Sequence, residues 1–211
     1  MLTTIFFDLD DTLYPRRDGL MHQIGARIQL FTETRFGMSA PQAGAQRKQW
    51  REKYGTALRG MTEEGYAFDL EDFFSYVHDV PLDHVKPDPR VREMLLGLPL
   101  RRAILTNADD KHAARILSHL GIADCFERVI DIKSLELINK PHAEAYEKAL
   151  AMLGVTAKES AFVEDSPVNT RTAKALGMTT ILVDCPPSVD ADWFISDVWQ
   201  VGDVLKTFVQ P

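Results

Sequence analysis

The stretch TIFFDLDDT, residues 4–12, joins an uninterrupted apolar run to three carboxylates. Residues 4–7 are too uniformly apolar for a strand with one face in water, so they predict a strand buried on both faces, as in a parallel sheet. Asp8, Asp10 and Asp11 follow directly, and like charges crowded at a strand end repel one another. The stretch therefore predicts either a solvated turn or a site to which a positive charge belongs.

The composition of the 211 residues is that of a globular chain with an acid excess. An apolar content of 45% is enough for a sizeable core and one or two domains. The formal net charge of -7 argues against a nucleic-acid polymer or a membrane surface as partner, but not against a small phosphorylated metabolite. Two distant cysteines, no signal-peptide pattern and no apolar stretch of the roughly 18 residues that span a bilayer predict a cytoplasmic protein.

Short apolar runs alternate with helical patterns in the second half of the chain. The further predicted buried strands are 103–105, 129–130, 161–163 and 180–183. The predicted helices between them are 109–120, 143–153 and 167–177, each ended by a glycine. This alternation predicts an α/β fold, a three-layer Rossmann-like parallel sheet with helices on both faces.

The segment 15–86 interrupts the alternation, because it contains helical patterns and no convincing buried strand. Three apolar residues at helical spacing form one face of its first helix: Ile24, Ile28 and Phe31. Ser39 and Asp69 are the predicted N-caps of two further helices. We therefore expect a small helical cap domain at 15–86, inserted after the first strand into a catalytic core made of residues 1–14 and 87–211.

Polar side chains follow the predicted strands, and ligands of open parallel sheets bind beyond the carboxyl ends of the strands. Besides Asp8 and Asp10, the groups expected near that edge are Thr106, Asn107, Lys140, Glu164 and Asp165. Several carboxylates in one place require a divalent cation, and oxygen ligands without nearby His or Cys favour Mg²⁺. Glu164 stays open between a water-mediated metal contact and stabilisation of a helix N-terminus.

A metal among carboxylates, with a lysine and a threonine, suits a phosphoryl group. Mg²⁺ and Lys140 would neutralise its oxygens, and Thr106 could donate a hydrogen bond to one of them. Asp8, ionised and bound to the metal, is the predicted nucleophile that forms an acyl phosphate. Asp10 is the predicted acid for the leaving oxygen and then the base that activates water, and we expect its acidic neighbours to keep it partly protonated.

Four short motifs resemble those of the haloacid dehalogenase superfamily in order and rough spacing: DLDDT at 8–12, TN at 106–107, KP at 140–141 and ED at 164–165. The phosphatases of that superfamily carry an aspartate two residues after the nucleophile, as Asp10 is here, and the dehalogenases lack it. The resemblance implies a phosphatase in which Asp8, Asp165 and the backbone carbonyl of Asp10 hold Mg²⁺. It also implies that Thr106 and Lys140 hold the phosphate.

Longer strings, among them FFDLDDTLYP, YGTALRG at 54–60 and KPHAEAYEKAL, resemble the pyrimidine 5'-nucleotidase group of that superfamily. The resemblance implies a nucleoside monophosphate such as UMP or CMP as substrate. Asn107, and Arg59 reaching over from the cap, are the candidate substrate-binding residues. A departure is Asn169, where many relatives carry a further aspartate, so a metal-supporting role for that side chain is in doubt.

Three alternatives stay open on the sequence. A sugar-phosphate or phosphoglycolate phosphatase would share the core motifs, because the cap sets the leaving group. A phosphomutase would return the phosphoryl group to its substrate instead of to water. A phospho-receiver signalling module also combines an acidic cluster with Thr and Lys around Mg²⁺, but it has no reason for a cap of roughly seventy residues.

Overall fold

The computed structural model describes residues 1–207. Within them, six parallel strands form one sheet, with the first strand in the interior. The strands are β1 (Thr4–Phe7), β2 (Arg101–Leu105), β3 (Arg128–Ile130), β4 (Ser160–Glu164), β5 (Thr179–Val183) and β6 (Trp193–Ile195). Their order across the sheet is β3-β2-β1-β4-β5-β6, so β1 lies in the centre, where the strand order reverses. Ligands of open α/β sheets bind at such a reversal, beyond the carboxyl ends of the strands.

Helices cover both faces of the sheet, as predicted. They are α5 (Pro89–Gly97), α6 (Asp110–His119), α7 (Ala143–Leu153), α8 (Pro167–Ala175) and α9 (Val201–Lys206). Ile5 and Phe7 point into the layer formed by α5, α6 and α9, and Phe6 points into the layer formed by α7 and α8. Because side chains alternate along a strand and both faces are covered, the apolar run of β1 is buried throughout.

The segment between β1 and α5 consists of helices and connecting loops, and the name cap is kept here for residues 15–86. Its helices are α1 (Leu20–Phe36), α2 (Ala40–Tyr54), α3 (Ala57–Glu63) and α4 (Leu70–His78). Ser39 caps α2 through a capping box with Gln42, and the Asp69 carboxylate accepts a hydrogen bond from the backbone N–H of Asp72, 2.7 Å away. Both predicted N-caps are therefore confirmed.

The cap has an aromatic core of its own, which includes Phe31, Trp50 and Phe73, and Ile132 of the sheet domain packs into it. The cap and the sheet domain are thus joined by apolar contact as well as by the chain. No helix among residues 1–207 has both the length and the apolar character that a membrane crossing requires.

Among the α-helices and strands of residues 1–207, four were not predicted from the sequence: α3, α5, α9 and β6. The three helices span nine residues or fewer, which is too short to repeat an apolar face several times. β6 has three residues, none of them fully buried, so it lacks the uniformly apolar run that marked the other strands.

Candidate active site

The register of the central strands brings the predicted polar residues together. Phe7 pairs with Ile104 on one side and with Val163 on the other, so Asp8, Leu105 and Glu164 lie level at the sheet edge. The backbone N–H of Asp8 continues the ladder by donating to the carbonyl of Val163 at 2.9 Å. The backbone pairing of β1 with its two neighbours therefore fixes the position of Asp8, the first residue of the acidic cluster.

Lys140 lies between two carboxylates. Its Nζ donates to Asp8 Oδ1 at 2.7 Å and to Glu164 Oε2 at 2.8 Å, and its side chain is 1% exposed. Burial, reinforced by Glu164, raises the pKa of Asp8 to about 7, and burial likewise raises the pKa of Glu164 to about 7. One buried ammonium thus serves two carboxylates, which leaves the pocket with an excess of negative charge when both are ionised.

The loop that carries Lys140 is held by Asn107. The backbone N–H of Lys140 donates to Asn107 Oδ1 at 2.8 Å, and Asn107 Nδ2 donates to the carbonyl of Lys140 at 3.0 Å. Thr106 is buried, and its Oγ1 accepts a hydrogen bond from the backbone N–H of Ala108 at 3.0 Å. Both side chains lie at the predicted edge, but the amide of Asn107 is engaged with the main chain of the lysine.

Three carboxylates form a cluster whose oxygens are the ligand atoms that a hard divalent cation prefers. Asp8, Glu164 and Asp165 each present an oxygen within 4.8 Å of the others. Arg16 Nη2 contacts Asp165 Oδ2, and Arg16 Nε lies 3.8 Å from Asp11 Oδ2. An oxygen-only donor set with surplus negative charge fits Mg²⁺, which is bound through a few carboxylates and water.

Glu164 has little coordination capacity left for a metal. Its Oε1 accepts the backbone N–H groups of Asp165 and Ser166 at 3.1 and 3.2 Å. Its Oε2 accepts Lys140 Nζ and, at 3.0 Å, Nδ2 of Asn169. These four donors match the lone pairs of a carboxylate, so Glu164 orients the lysine and the start of α8.

Asp10 lies in different surroundings from Asp8. Its Oδ1 accepts the Tyr14 hydroxyl at 2.6 Å and contacts His112 Nε2 at 2.9 Å. Burial alone would raise the pKa of Asp10, but His112 and Tyr14 outweigh it and lower the pKa below the usual value. The expectation that acidic neighbours raise this pKa was wrong, because the groups nearest the carboxylate are a histidine and a phenol.

Arg59 lies where the cap meets the sheet domain. Its guanidinium pairs with Glu63 of the same helix at 2.7 Å and donates weakly to the carbonyl of Leu137 at 3.5 Å. Leu137 is three residues before Lys140, so Arg59 contacts the loop that carries the lysine. Among residues 1–207, no hydrogen bond or ion pair joins the Arg59 side chain to Asp8 or Asp10.

Three residues that the sequence analysis did not single out complete the site. Thr12 Oγ1 donates to Asp8 Oδ2 at 3.1 Å, and Tyr14 and His112 contact Asp10. Thr12 and Tyr14 each stand four positions after the aspartate that they contact, so their spacing in the sequence could have indicated both contacts. His112 stands one helical turn before the buried Ile116, so the available signal was a polar residue on the apolar face of α6.

Comparisons with known proteins agree with this architecture. A family model described as haloacid dehalogenase-like hydrolase matches residues 2–177. Phosphate metabolism protein 8 of Saccharomyces cerevisiae is 27% identical to this chain, and the matched region covers 84% of this chain. The same region covers only 60% of the length of the yeast protein. Glyceraldehyde 3-phosphate phosphatase of Methanocaldococcus jannaschii is 23% identical, with 98% of each chain covered.

A solved structure, L-2-haloacid dehalogenase from Xanthobacter autotrophicus, superposes with a TM-score of 0.63. It is 17% identical in sequence, and the superposition covers 98% of this chain and 99% of that one. At this identity the likeness concerns the fold.

Proposed function

The chain belongs to the haloacid dehalogenase-like hydrolase family, and on that premise we propose that it is a Mg²⁺-dependent phosphomonoesterase. The observation that carries the proposal is the contrast between two aspartates two positions apart. Asp8 shares a buried ammonium with Glu164, whereas Asp10 is held by a phenol and a histidine. Asp8 thus lies beside the cation that could neutralise a phosphoryl group, and Asp10 lies beside two side chains that can orient its carboxyl group.

In the first half-reaction an Asp8 carboxylate oxygen attacks phosphorus, and the bond from phosphorus to the ester oxygen breaks. Asp10 donates its proton to that oxygen, and the alcohol leaves. Lys140 contributes positive charge beside the nucleophile, and the Thr106 hydroxyl hydrogen is available to a phosphoryl oxygen. The product on the protein is an aspartyl phosphate on Asp8.

In the second half-reaction Asp10, now ionised, accepts a proton from water as the water oxygen attacks the same phosphorus. The bond from phosphorus to Asp8 breaks, inorganic phosphate leaves, and both aspartates return to their starting protonation states. Asp8, Asp165 and the backbone carbonyl of Asp10 would hold Mg²⁺. The bound ion would supply charge that keeps Asp8 ionised and stabilises the phosphoryl oxygens.

For the substrate we propose a pyrimidine nucleoside 5'-monophosphate such as UMP or CMP, on the resemblance of the cap string YGTALRG. The second candidate is a small sugar phosphate or phosphoglycolate, and the full-length similarity to glyceraldehyde 3-phosphate phosphatase supports it. In both cases the partner is a small phosphorylated metabolite. The Asp10 side chain argues against dehalogenation, since halide departs without protonation and needs no acid at that position.

A phosphate-release screen with Mg²⁺ tests the proposal. The substrates are UMP, CMP, purine nucleotides, small sugar phosphates and phosphoglycolate, with 2-chloropropionate assayed for chloride and Asp8→Asn as the blank. Continuous phosphate release that requires Mg²⁺ and Asp8 is expected, with the highest kcat/KM for the pyrimidine nucleotides. Chloride release without phosphate release refutes the phosphatase, transfer of phosphate between substrate positions indicates a mutase, and a single turnover per chain indicates a receiver.

A further inference from the structure

We propose that His112, together with Tyr14 and with His78 of the cap, is a positioning residue that aims the Asp10 carboxyl at the leaving group. The inference rests on the proposed function, because it concerns how the acid/base group of that reaction is held. It adds residues from outside the four motifs and assigns part of the support to the cap.

The first observation is that both donors meet the same oxygen of Asp10. The Tyr14 hydroxyl and His112 Nε2 lie 2.6 and 2.9 Å from Oδ1, and no hydrogen bond from residues 1–207 reaches Oδ2. Two donors on Oδ1 hold the carboxyl plane and reserve that oxygen as an acceptor. A proton carried by Asp10 therefore belongs on Oδ2, the one oxygen left free for the leaving group or for water.

The second observation is that His112 has a single polar partner. The His112 side chain is fully buried, and its Nδ1 has no hydrogen-bond partner among the residues that the structure describes. A ring with a hydrogen on Nε2 satisfies this arrangement, since Nε2 then donates to Asp10 Oδ1. A buried histidine whose one hydrogen bond goes to the proposed acid/base group is built for that contact.

The third observation is that the cap holds the His112 ring by stacking. His78, the last residue of α4, stacks on His112 with ring centroids 4.1 Å apart and planes inclined by 26°. His78 Nδ1 also lies 2.9 Å from Asp109 Oδ1, in the N-terminal cap of α6. The imidazole of the cap thus packs on one face of the His112 ring and restricts the rotation of that ring.

The position of His78 is in turn set by contacts between α4 and α6. Arg115 Nη1 of α6 donates to the carbonyl of His78 at 2.6 Å. In the first turn of α4, Glu71 pairs with Lys111 at 2.8 Å and with Lys133. The residues that hold Asp10 are therefore themselves held by contacts between the cap and the sheet domain. A change in the packing of the cap on the sheet domain would therefore change the orientation of the Asp10 carboxyl group.

The test compares two phosphate esters that differ in their need for an acid. An alkyl ester, the best substrate of the screen, requires protonation of its leaving oxygen, whereas p-nitrophenyl phosphate does not. His112→Phe keeps a stacking ring but removes the donor, and we expect it to lower kcat for the alkyl ester at least about tenfold more than for the aryl ester. This is part of the roughly 10²–10⁴-fold contribution of general acid–base catalysis.

Two further variants separate positioning from packing. His112→Gln places an N–H donor the same number of bonds from Cα, so it should restore most of the alkyl-ester rate. His119→Gln is the control, because His119 lies on the same helix and its ring hydrogen-bonds, among residues 1–207, to the carbonyl of Val85 at 2.8 Å and not to Asp10. We expect it to leave the ratio of the two rates unchanged.

Equal rate losses on both esters in His112→Phe, or none, overturn the inference while phosphate release by the wild type upholds the proposed function. A wild type that hydrolyses neither ester overturns both. If His112→Phe does not fold by circular dichroism, Tyr14→Phe removes the other donor and must show the same leaving-group dependence. A second readout is the phosphorylated fraction during turnover of p-nitrophenyl phosphate, measured by intact mass, which should rise because the base of the second half-reaction is misplaced.

Discussion

Replacing Asp8 by asparagine should stabilise the metal-free protein while it abolishes phosphate release. The side chain is almost entirely buried, and its pKa is raised from 3.8 to about 7 by burial and by Glu164. Asparagine keeps the shape and can accept from Lys140, which retains Glu164 as its ion-pair partner. The variant therefore removes one of two carboxylates that share a single cation, without leaving the lysine unpaired.

The magnitude follows from the pKa shift. Each pKa unit corresponds to about 1.4 kcal/mol, so a rise from 3.8 to about 7 corresponds to at most about 4 kcal/mol. The folded-state pKa lies above the unfolded-state pKa, so the native protein binds the extra proton between these values. The wild type thus loses this stability as pH rises from about 4 to about 7, and Asp8→Asn does not.

The assay is urea unfolding in chelator at pH 5, 6, 7 and 8, followed by circular dichroism. The difference in unfolding free energy between variant and wild type should grow with pH, in favour of the variant. Lys140→Met is the contrasting control: it removes the cation from between Asp8 and Glu164, and we expect a loss of about 3–5 kcal/mol at pH 8. A variant at Asp8 that is less stable than the wild type at pH 8, or a difference independent of pH, would refute this electrostatic account. Substantial phosphate release by the same variant would refute the covalent mechanism.

Four further outcomes are expected. Asp165→Ala should raise the Mg²⁺ concentration for half-maximal activity sharply, and Ca²⁺ should inhibit the wild type because its looser shell misplaces the nucleophile; full activity in excess chelator contradicts this. Asp10→Asn should lose more rate on the alkyl ester than on the aryl ester. With the aryl ester it should show an initial burst of the alcohol product, because the aspartyl phosphate on Asp8 accumulates. Arg16→Ala should tighten Mg²⁺ binding in calorimetry, since the guanidinium competes for Asp165. Gly55→Ala should lower the free energy of unfolding by about 1–3 kcal/mol and raise KM, because at a φ of +86° the added Cβ would lie 2.6 Å from Asn139, next to Lys140. Gly65→Ala is the control: its φ is +75° and no atom lies within 4 Å of the added Cβ, so it should show the effect of backbone strain alone.

The sheet could be predicted from the sequence because its evidence is local. The part of a strand that is covered on both faces is mostly apolar, and β1, β2, β4 and β5 each contain such a run. The order of the strands is not local information, and it is the pairing of Phe7 with Val163 that brings Asp8 level with Glu164. Alternation of strand and helix indicated a parallel sheet, and the preference for polar residues at its carboxyl edge indicated where the site lies.

The electrostatics of Asp10 could not be predicted in this way. Proximity in sequence suggested that Asp8 and Asp11 would dominate its pKa, but Asp11 adopts a left-handed backbone conformation with φ 60 and its carboxylate faces Arg16. The groups that do set the pKa include a histidine 102 positions away, on a helix packed beside the sheet.

This difference between Asp8 and Asp10 has a chemical basis. Attack on phosphorus and coordination of a hard cation require particular atoms, so the residues that supply them form readable motifs at strand ends. Holding a carboxyl in place requires only a donor at the right point, which a phenol, an imidazole or an amide can supply from any element. A support of this kind, such as His112, is therefore set by packing and has no fixed spacing in the sequence. It follows that the residues most informative about how such a site works are those that only the three-dimensional structure can bring to the carboxylate.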